Sequence, residues 1–296
     1  MSSTTEVALT ASQLDDFGII QISGTDTIKF LQGQITVNPD LLRPGQLALG
    51  ANCNPQGRCI SLFFIAKVEQ NILLFLKRET LETAIANLRK YAVFFKVDIT
   101  DQTKQNSLYG FSGISQPELK LITNVELMSW QEQNIAIIMV AKDNQALVEE
   151  QIRDISTISP EQNWLYQLTY KSISWLTQKG QSEFLPHNLN LPLLKAVDFN
   201  KGCFTGQEVI ARMQYKGKLK SHIQLFKSKE QLEISAIEHI FVEDKKAAQL
   251  ICGAHNEKGE TALLALVKDR YLDDKIFRLG AENGPILELI KATDKE

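Results

Sequence analysis

The run Lys201-Gly202-Cys203-Phe204-Thr205-Gly206-Gln207-Glu208 sets one cysteine between two glycines, just ahead of a helix start. Thr205 and Glu208 have the spacing of a capping box: the threonine oxygen takes the backbone N–H three residues on, and the glutamate reaches back. Val209, Ile210 and Met213 carry the helix to Lys216, and Gly217 suits its C-cap. Cys203 is then expected just outside a helix N-terminus, where unpaired N–H groups carry partial positive charge. That charge and the neighbouring Lys201 both favour a thiolate, the reactive form of cysteine. Gly202 and Gly206 keep side chains out of the way of a ligand approaching the backbone. A buried cysteine beside a tight turn is the other reading of such a residue.

The elements that must position this octet are legible in outline. Ile19-Ile20-Gln21-Ile22 reads as a strand and Asp26 to Gln32 as a short helix ended at Gly33. Pro55-Gln56-Gly57 is a turn signal between the strand following Leu47 and the strands Cys59 to Val68 and Asn71 to Leu76. Leu81, Ile85, Leu88 and Ala92 then share one helical face. A helix between strands in so small a unit suggests a ferredoxin-like α+β sandwich. Residues 106–160 repeat the texture, with a buried strand at Ile135 to Val140 and an amphipathic helix after Asp143. A further helix is expected from Trp164 to Leu176. Beyond Lys220 the pattern changes to short strands, Ile223 to Phe226, Thr261 to Lys268 and Ile286 to Ile290, separated by glycine-containing turns. That fits a small β-barrel or sandwich.

Composition narrows the class. The chain has 296 residues, enough for two or three domains, and its 44% hydrophobic and 23% charged content is ordinary for a globular protein. A formal net charge of −3 argues against wholesale nucleic-acid binding, and no direct DNA contact is expected. Of the four cysteines none forms a Cys-x-x-Cys pair, so neither a disulfide framework nor a metal site is expected. Cys53 and Cys59 flank a turn and are expected as two packed thiols. The polar start carries no leader signal and no stretch approaches the ~20 apolar residues of a membrane span, so a cytoplasmic monomer is expected.

The octet resembles the signature of the YgfZ branch of folate-binding, glycine-cleavage-T-like proteins. Other blocks resemble that family in the same order: Gly24-Thr25-Asp26, Phe30-Leu31-Gln32-Gly33-Gln34-Ile35-Thr36, Asn52-Cys53-Asn54-Pro55-Gln56-Gly57-Arg58, Lys90-Tyr91-Ala92-Val93-Phe94 and Phe184-Leu185-Pro186. The resemblance implies an α+β fold of glycine-cleavage-T type, with two ferredoxin-like domains and a C-terminal small β-barrel around a central channel. The divisions it implies are 1–46 with 106–219, 47–105, and 220–296. It implies a tetrahydrofolate-binding accessory factor that supports iron–sulfur cluster assembly or repair and thereby tRNA thiolation, with transient iron–sulfur client or assembly proteins as partners. A folate-dependent one-carbon transferase is the alternative. Cys203 would be the functional thiol and Lys201 its partner. Phe17 and Trp164 would form an aromatic wall, with Gly202, Gln207, Glu208 and Arg212 also lining the folate site. Each aromatic is also readable as core, Phe17 more so than Trp164, and each polar residue as a solvated or capping one.

Overall fold

The computed structural model describes residues 9–113, 119–235, 237–273 and 276–290. Strand β1 (Thr10–Gln13) and β2 (Phe17–Ser23) precede helix α1 (Thr27–Gln32) and the strands β3 (Leu47–Cys53), β4 (Cys59–Val68) and β5 (Asn71–Lys77). Helix α2 (Leu81–Ala92) leads to β6 (Asp98–Asp101) and β7 (Asn106–Ser112), then β8 (Glu126–Trp130) and β9 (Ile135–Ala141). Helix α3 (Gln145–Ile155), β10 (Ile158–Ser159) and α4 (Glu161–Tyr170) follow, and after an irregular stretch α5 (Gln207–Lys216). The last strands are β11 (Ser221–Ser228), β12 (His239–Val242), β13 (Lys245–His255), β14 (Thr261–Lys268), β15 (Phe277–Leu279) and β16 (Ile286–Ile290).

Among the described residues these strands form two five-stranded sheets and a barrel. One sheet has the order β10-β1-β7-β9-β8 and the other β3-β4-β5-β2-β6. Helix α3 buries Val148 and Ile152 on the first, against Tyr109, Phe111, Ile138 and Val140. Strand β2, which the expected division groups with residues 106–219, hydrogen-bonds to β5 and β6. Ile19, Ile20 and Ile22 of β2 are all buried, and its place inside the sheet pairs the backbone groups of both its edges. Strands β11-β14-β13-β12-β15-β16 close into the barrel expected beyond Lys220, around Phe226, Ile240, Leu263 and Phe277. Short strands set apart by glycine-containing turns made this part legible.

The helix expected to run on to Leu176 stops at Tyr170. Ser172 takes a left-handed φ of 57°, its N–H reaches Thr169 O, and Ile173 N–H reaches Leu168 O. These paired bonds satisfy the last carbonyls and turn the chain away before Trp175. By contacts the chain divides into two compact units. One comprises Met1–Gln32, Asn38–Leu49 and Phe63–Trp164; the other comprises Gly33–Val37, Gly50–Leu62 and Leu165–Glu296. No helix among the described residues is long and apolar enough to cross a membrane.

Candidate functional site

The octet lies in the second unit, on the β3–β4 hairpin. The expected turn is present: Asn54 N–H donates to Arg58 O at 2.9 Å, and Gly57 N–H to Asn54 O at 2.8 Å. Gly206 packs on this turn. A Cβ there would lie 2.5 Å from Asn54 O and 2.9 Å from Gly57 Cα, and its φ of +83° is a left-handed value. Space and backbone angle both demand glycine. Gly206 therefore serves the hairpin, whereas a Cβ on Gly202 would meet nothing within 4 Å. Open approach to the backbone exists at Gly202.

The capping box does not form. Helix α5 begins at Gln207, with Gly206 as an N-cap that offers no side chain. The positive φ at Gly206 turns the chain between Thr205 and Glu208, which a capping box requires to run directly into the helix. Thr205 instead ties the loop to the Gly33–Val37 segment: its N–H donates to Gly33 O at 3.1 Å and its hydroxyl to the same oxygen at 3.4 Å. Gln207 takes over locally, its Oε1 accepting from Phe204 N–H at 3.3 Å. Glu208 is exposed on the first helical turn, where a carboxylate suits the helix dipole. Arg212 is exposed one turn further on.

Lys201 is buried, with 8% of its surface exposed. Its ammonium donates to Ile35 O at 2.6 Å and Val37 O at 3.1 Å, and it sits 5.1 Å from the centre of the Phe204 ring. Phe204 is itself buried. Two buried anchors thus flank Gly202 and Cys203, and both intervening residues are exposed. The loop holds its thiol outward by burying what lies on either side. The segment that receives Lys201 is fastened further, since Asp198 N–H donates to Thr36 O at 2.9 Å and the Thr36 hydroxyl to Ala196 O at 2.7 Å.

The other thiols are inert by position. Cys53 and Cys59 are buried across the hairpin with their sulfurs 4.0 Å apart, both free. Contact with Cys53, and then burial, push the Cys59 thiol well above its usual range. Burial pushes Cys252 up to about 12. Since the thiolate is the nucleophile, iodoacetamide at neutral pH is expected to label the folded protein on Cys203 alone. Peptide mapping by mass spectrometry checks this. Comparable early labelling at Cys53 or Cys252 would show that the loop does not single out one sulfur.

Phe17 and Trp164 lie in the first unit and touch each other edge to face at 5.6 Å. Trp164 is 1% exposed, with Phe64 at 5.6 Å and its Nε1–H directed to Phe111 O at 3.4 Å. Its ring lies on Gly110, where a Cβ would come within 2.6 Å. The ammonium of Lys77 stands 5.0 Å from the Phe17 ring centre while bonding Glu161 Oε1 at 2.6 Å. Protein groups surround both rings. Elsewhere in the second unit, the Glu183 backbone oxygen accepts from Arg58 Nη1. His187 Nε2 meets Gln214 Oε1 at 3.1 Å, and burial lowers the His187 pKa.

One residue of the site went unremarked in sequence. Gln34 is buried, and its Oε1 has no hydrogen-bond partner among the described residues. Its own carbonyl accepts from Asn52 Nδ2 at 2.7 Å, and the preceding carbonyl, of Gly33, holds Thr205. Buried side-chain oxygens rarely go unpaired, so such an atom marks a place for a polar ligand or water. The only sequence signal was its place in Gly33-Gln34-Ile35-Thr36.

No family model matches the chain. The tRNA-modifying protein YgfZ of Colwellia psychrerythraea is 30% identical over 223 residues, which cover 70% of this chain and 68% of that protein. The chain belongs to the YgfZ family. The tRNA-modifying protein YgfZ of Hamiltonella defensa is 28% identical over 309 aligned positions, covering 95% of this chain and 90% of the relative. Among solved structures, the glycine cleavage system aminomethyltransferase T from Bartonella henselae matches with a TM-score of 0.73 at 14% identity. That match covers 98% of this chain and 86% of the other. It establishes a glycine-cleavage-T-like fold for this YgfZ-family member.

A reduced folate has flat rings, a pterin edge rich in N–H donors, and an acidic tail. In the unit that carries Cys203, the unpaired Gln34 Oε1 suits a pterin donor and exposed Arg212 suits the tail carboxylates. The rings of Phe17 and Trp164 are already faced by protein and supply no open stacking surface in this YgfZ-family chain.

Proposed function

We propose that this protein is a folate-binding accessory factor in tRNA modification, acting through the thiol of Cys203. The observation that carries the reading is the build of the cysteine loop. Lys201 and Phe204 are sunk on either side, Gly202 leaves open space, and Cys203 stands exposed. Membership of a family whose curated relatives are named tRNA-modifying proteins supplies the context. In this proposal Gln34 Oε1 accepts from the pterin edge and Arg212 attracts the tail, while Gln207 and Glu208 shape the loop and the first turn of α5. Bound tetrahydrofolate would supply a reduced one-carbon carrier or redox partner. The thiol side of the proposal is transient contact with iron–sulfur client or assembly proteins, whose clusters are cargo. Such a factor would support the cluster enzymes that thiolate tRNA.

The ligand is tested by calorimetric titration of the full chain with tetrahydrofolate. Saturable binding is expected, weakened roughly tenfold or more by Gln34→Leu, because losing one buried acceptor strands its donor at a cost of about 1–3 kcal/mol. Absence of saturable binding by the folded wild type would overturn the folate assignment.

A further inference from the structure

We propose that the protein contacts RNA directly, through a basic strip that runs from the end of α5 onto the barrel. The RNA being tRNA rests on the function proposed above; the strip itself rests on charge and exposure. Lys216 closes α5, Lys218 and Lys220 stand on the short link to β11, and all three are exposed. None of the three has an ion-pair partner among the described residues. The strip continues onto the barrel because Asp269 N–H donates to Lys220 O at 3.0 Å and Ser221 pairs with Lys268. Lys268 is exposed and reaches across to β13, donating to Lys246 O at 2.9 Å.

The surrounding charges leave the strip positive. The carboxylate of Asp269 meets His222 Nδ1 at 2.7 Å and offsets one lysine charge beside Lys220, while Lys216, Lys218, Lys220 and Lys268 outnumber it. Glu208 lies two turns of α5 before Lys216, on the far side of Arg212, and Glu243 and Asp244 lie at the β12–β13 turn. The net charge of −3 is therefore not evenly spread, which reconciles this strip with an acidic chain.

An aromatic ring decides which kind of anion fits. Tyr215 is 70% exposed, next to Lys216, and is propped by an edge contact with Phe199 at 6.0 Å. Unpaired lysines serve phosphates, and a supported, exposed ring offers a face on which an unpaired base stacks. An acidic protein supplies scattered carboxylates, whereas a nucleic-acid strand brings a phosphate and a stackable base in every repeat. RNA with accessible unpaired bases, as in loops and single-stranded ends, uses both.

The test is fluorescence anisotropy of labelled bulk tRNA with the full-length protein across a salt series. Saturable binding is expected, falling with salt with a log–log slope of about −2 to −4, as three to five phosphate contacts require. The triple variant K216E/K218E/K220E should weaken binding at least ~30-fold at low salt, and Tyr215→Ala a further ~5-fold or more with the slope unchanged. Thermal unfolding confirms that the variants fold. No saturable binding near ~50 mM salt, or undiminished binding by the triple variant, overturns the proposal. So does competition by polyglutamate as effective, charge for charge, as competition by unlabelled tRNA, which would mark the strip as an acidic-protein dock. Binding is read on purified components. For the folded triple variant, lost binding with intact cellular tRNA modification would keep the strip as an RNA contact and count against its service to the proposed function, whereas undiminished binding counts against the strip itself.

Discussion

Replacing Lys201 by methionine is expected to lower the unfolding free energy by about 2–4 kcal/mol, although the two side chains are of similar length and the site is buried. The ammonium makes two charge-assisted bonds, to Ile35 O and Val37 O, in a region where Ile35 is fully buried and Val37 nearly so. Such bonds each contribute roughly 1.5–3 kcal/mol, and a thioether cannot replace either. The two carbonyls would be left facing an apolar chain end, which is the expensive half of the change. Bonds elsewhere between the two segments, through Thr36 and Thr205, keep the loop attached and limit the loss. Denaturant unfolding of wild type and variant measures the difference. A change below ~0.5 kcal/mol would mean that Lys201 does not clamp the loop.

Cys203→Ala should have the opposite profile, with function abolished and stability unchanged. The side chain is exposed and its thiol is free, so its removal opens no cavity. The flanking anchors Lys201 and Phe204 and the glycine contact at Gly206 do not depend on the sulfur. An effect on stability larger than about 0.5 kcal/mol would be out of line with an exposed position. The pairing of these two variants separates the residue that builds the loop from the residue the loop presents.

Sequence periodicity reached most of the fold because burial imposes it. The barrel strands are short and set apart by turns, Leu81 and Leu88 of the expected α2 face are buried with Ala84 beside them in place of Ile85, and Pro55-Gln56-Gly57 announces its turn. What it missed depended on partners remote in sequence. Adjacency to Cys203 suggested that Lys201 acts on the sulfur, yet its ammonium bonds carbonyls more than 160 residues away. Thr205 and Glu208 had the right spacing for a cap, but the left-handed turn at Gly206, forced by the hairpin beneath it, intervenes. Phe17 and Trp164 were readable either as wall or as core, and only the bare Cα of Gly110 under the indole shows how closely protein packs there. Gln34 was overlooked because an unpaired oxygen is visible only once its neighbours are placed.

The most direct measurement is the fraction of thiolated tRNA in a strain lacking this protein, complemented with Cys203→Ala expressed to wild-type level. If the exposed sulfur carries the function, that fraction stays at the level of the uncomplemented strain while the purified variant unfolds at the wild-type midpoint. Full restoration of thiolation by the folded variant would contradict it and leave the cysteine loop without its assigned role.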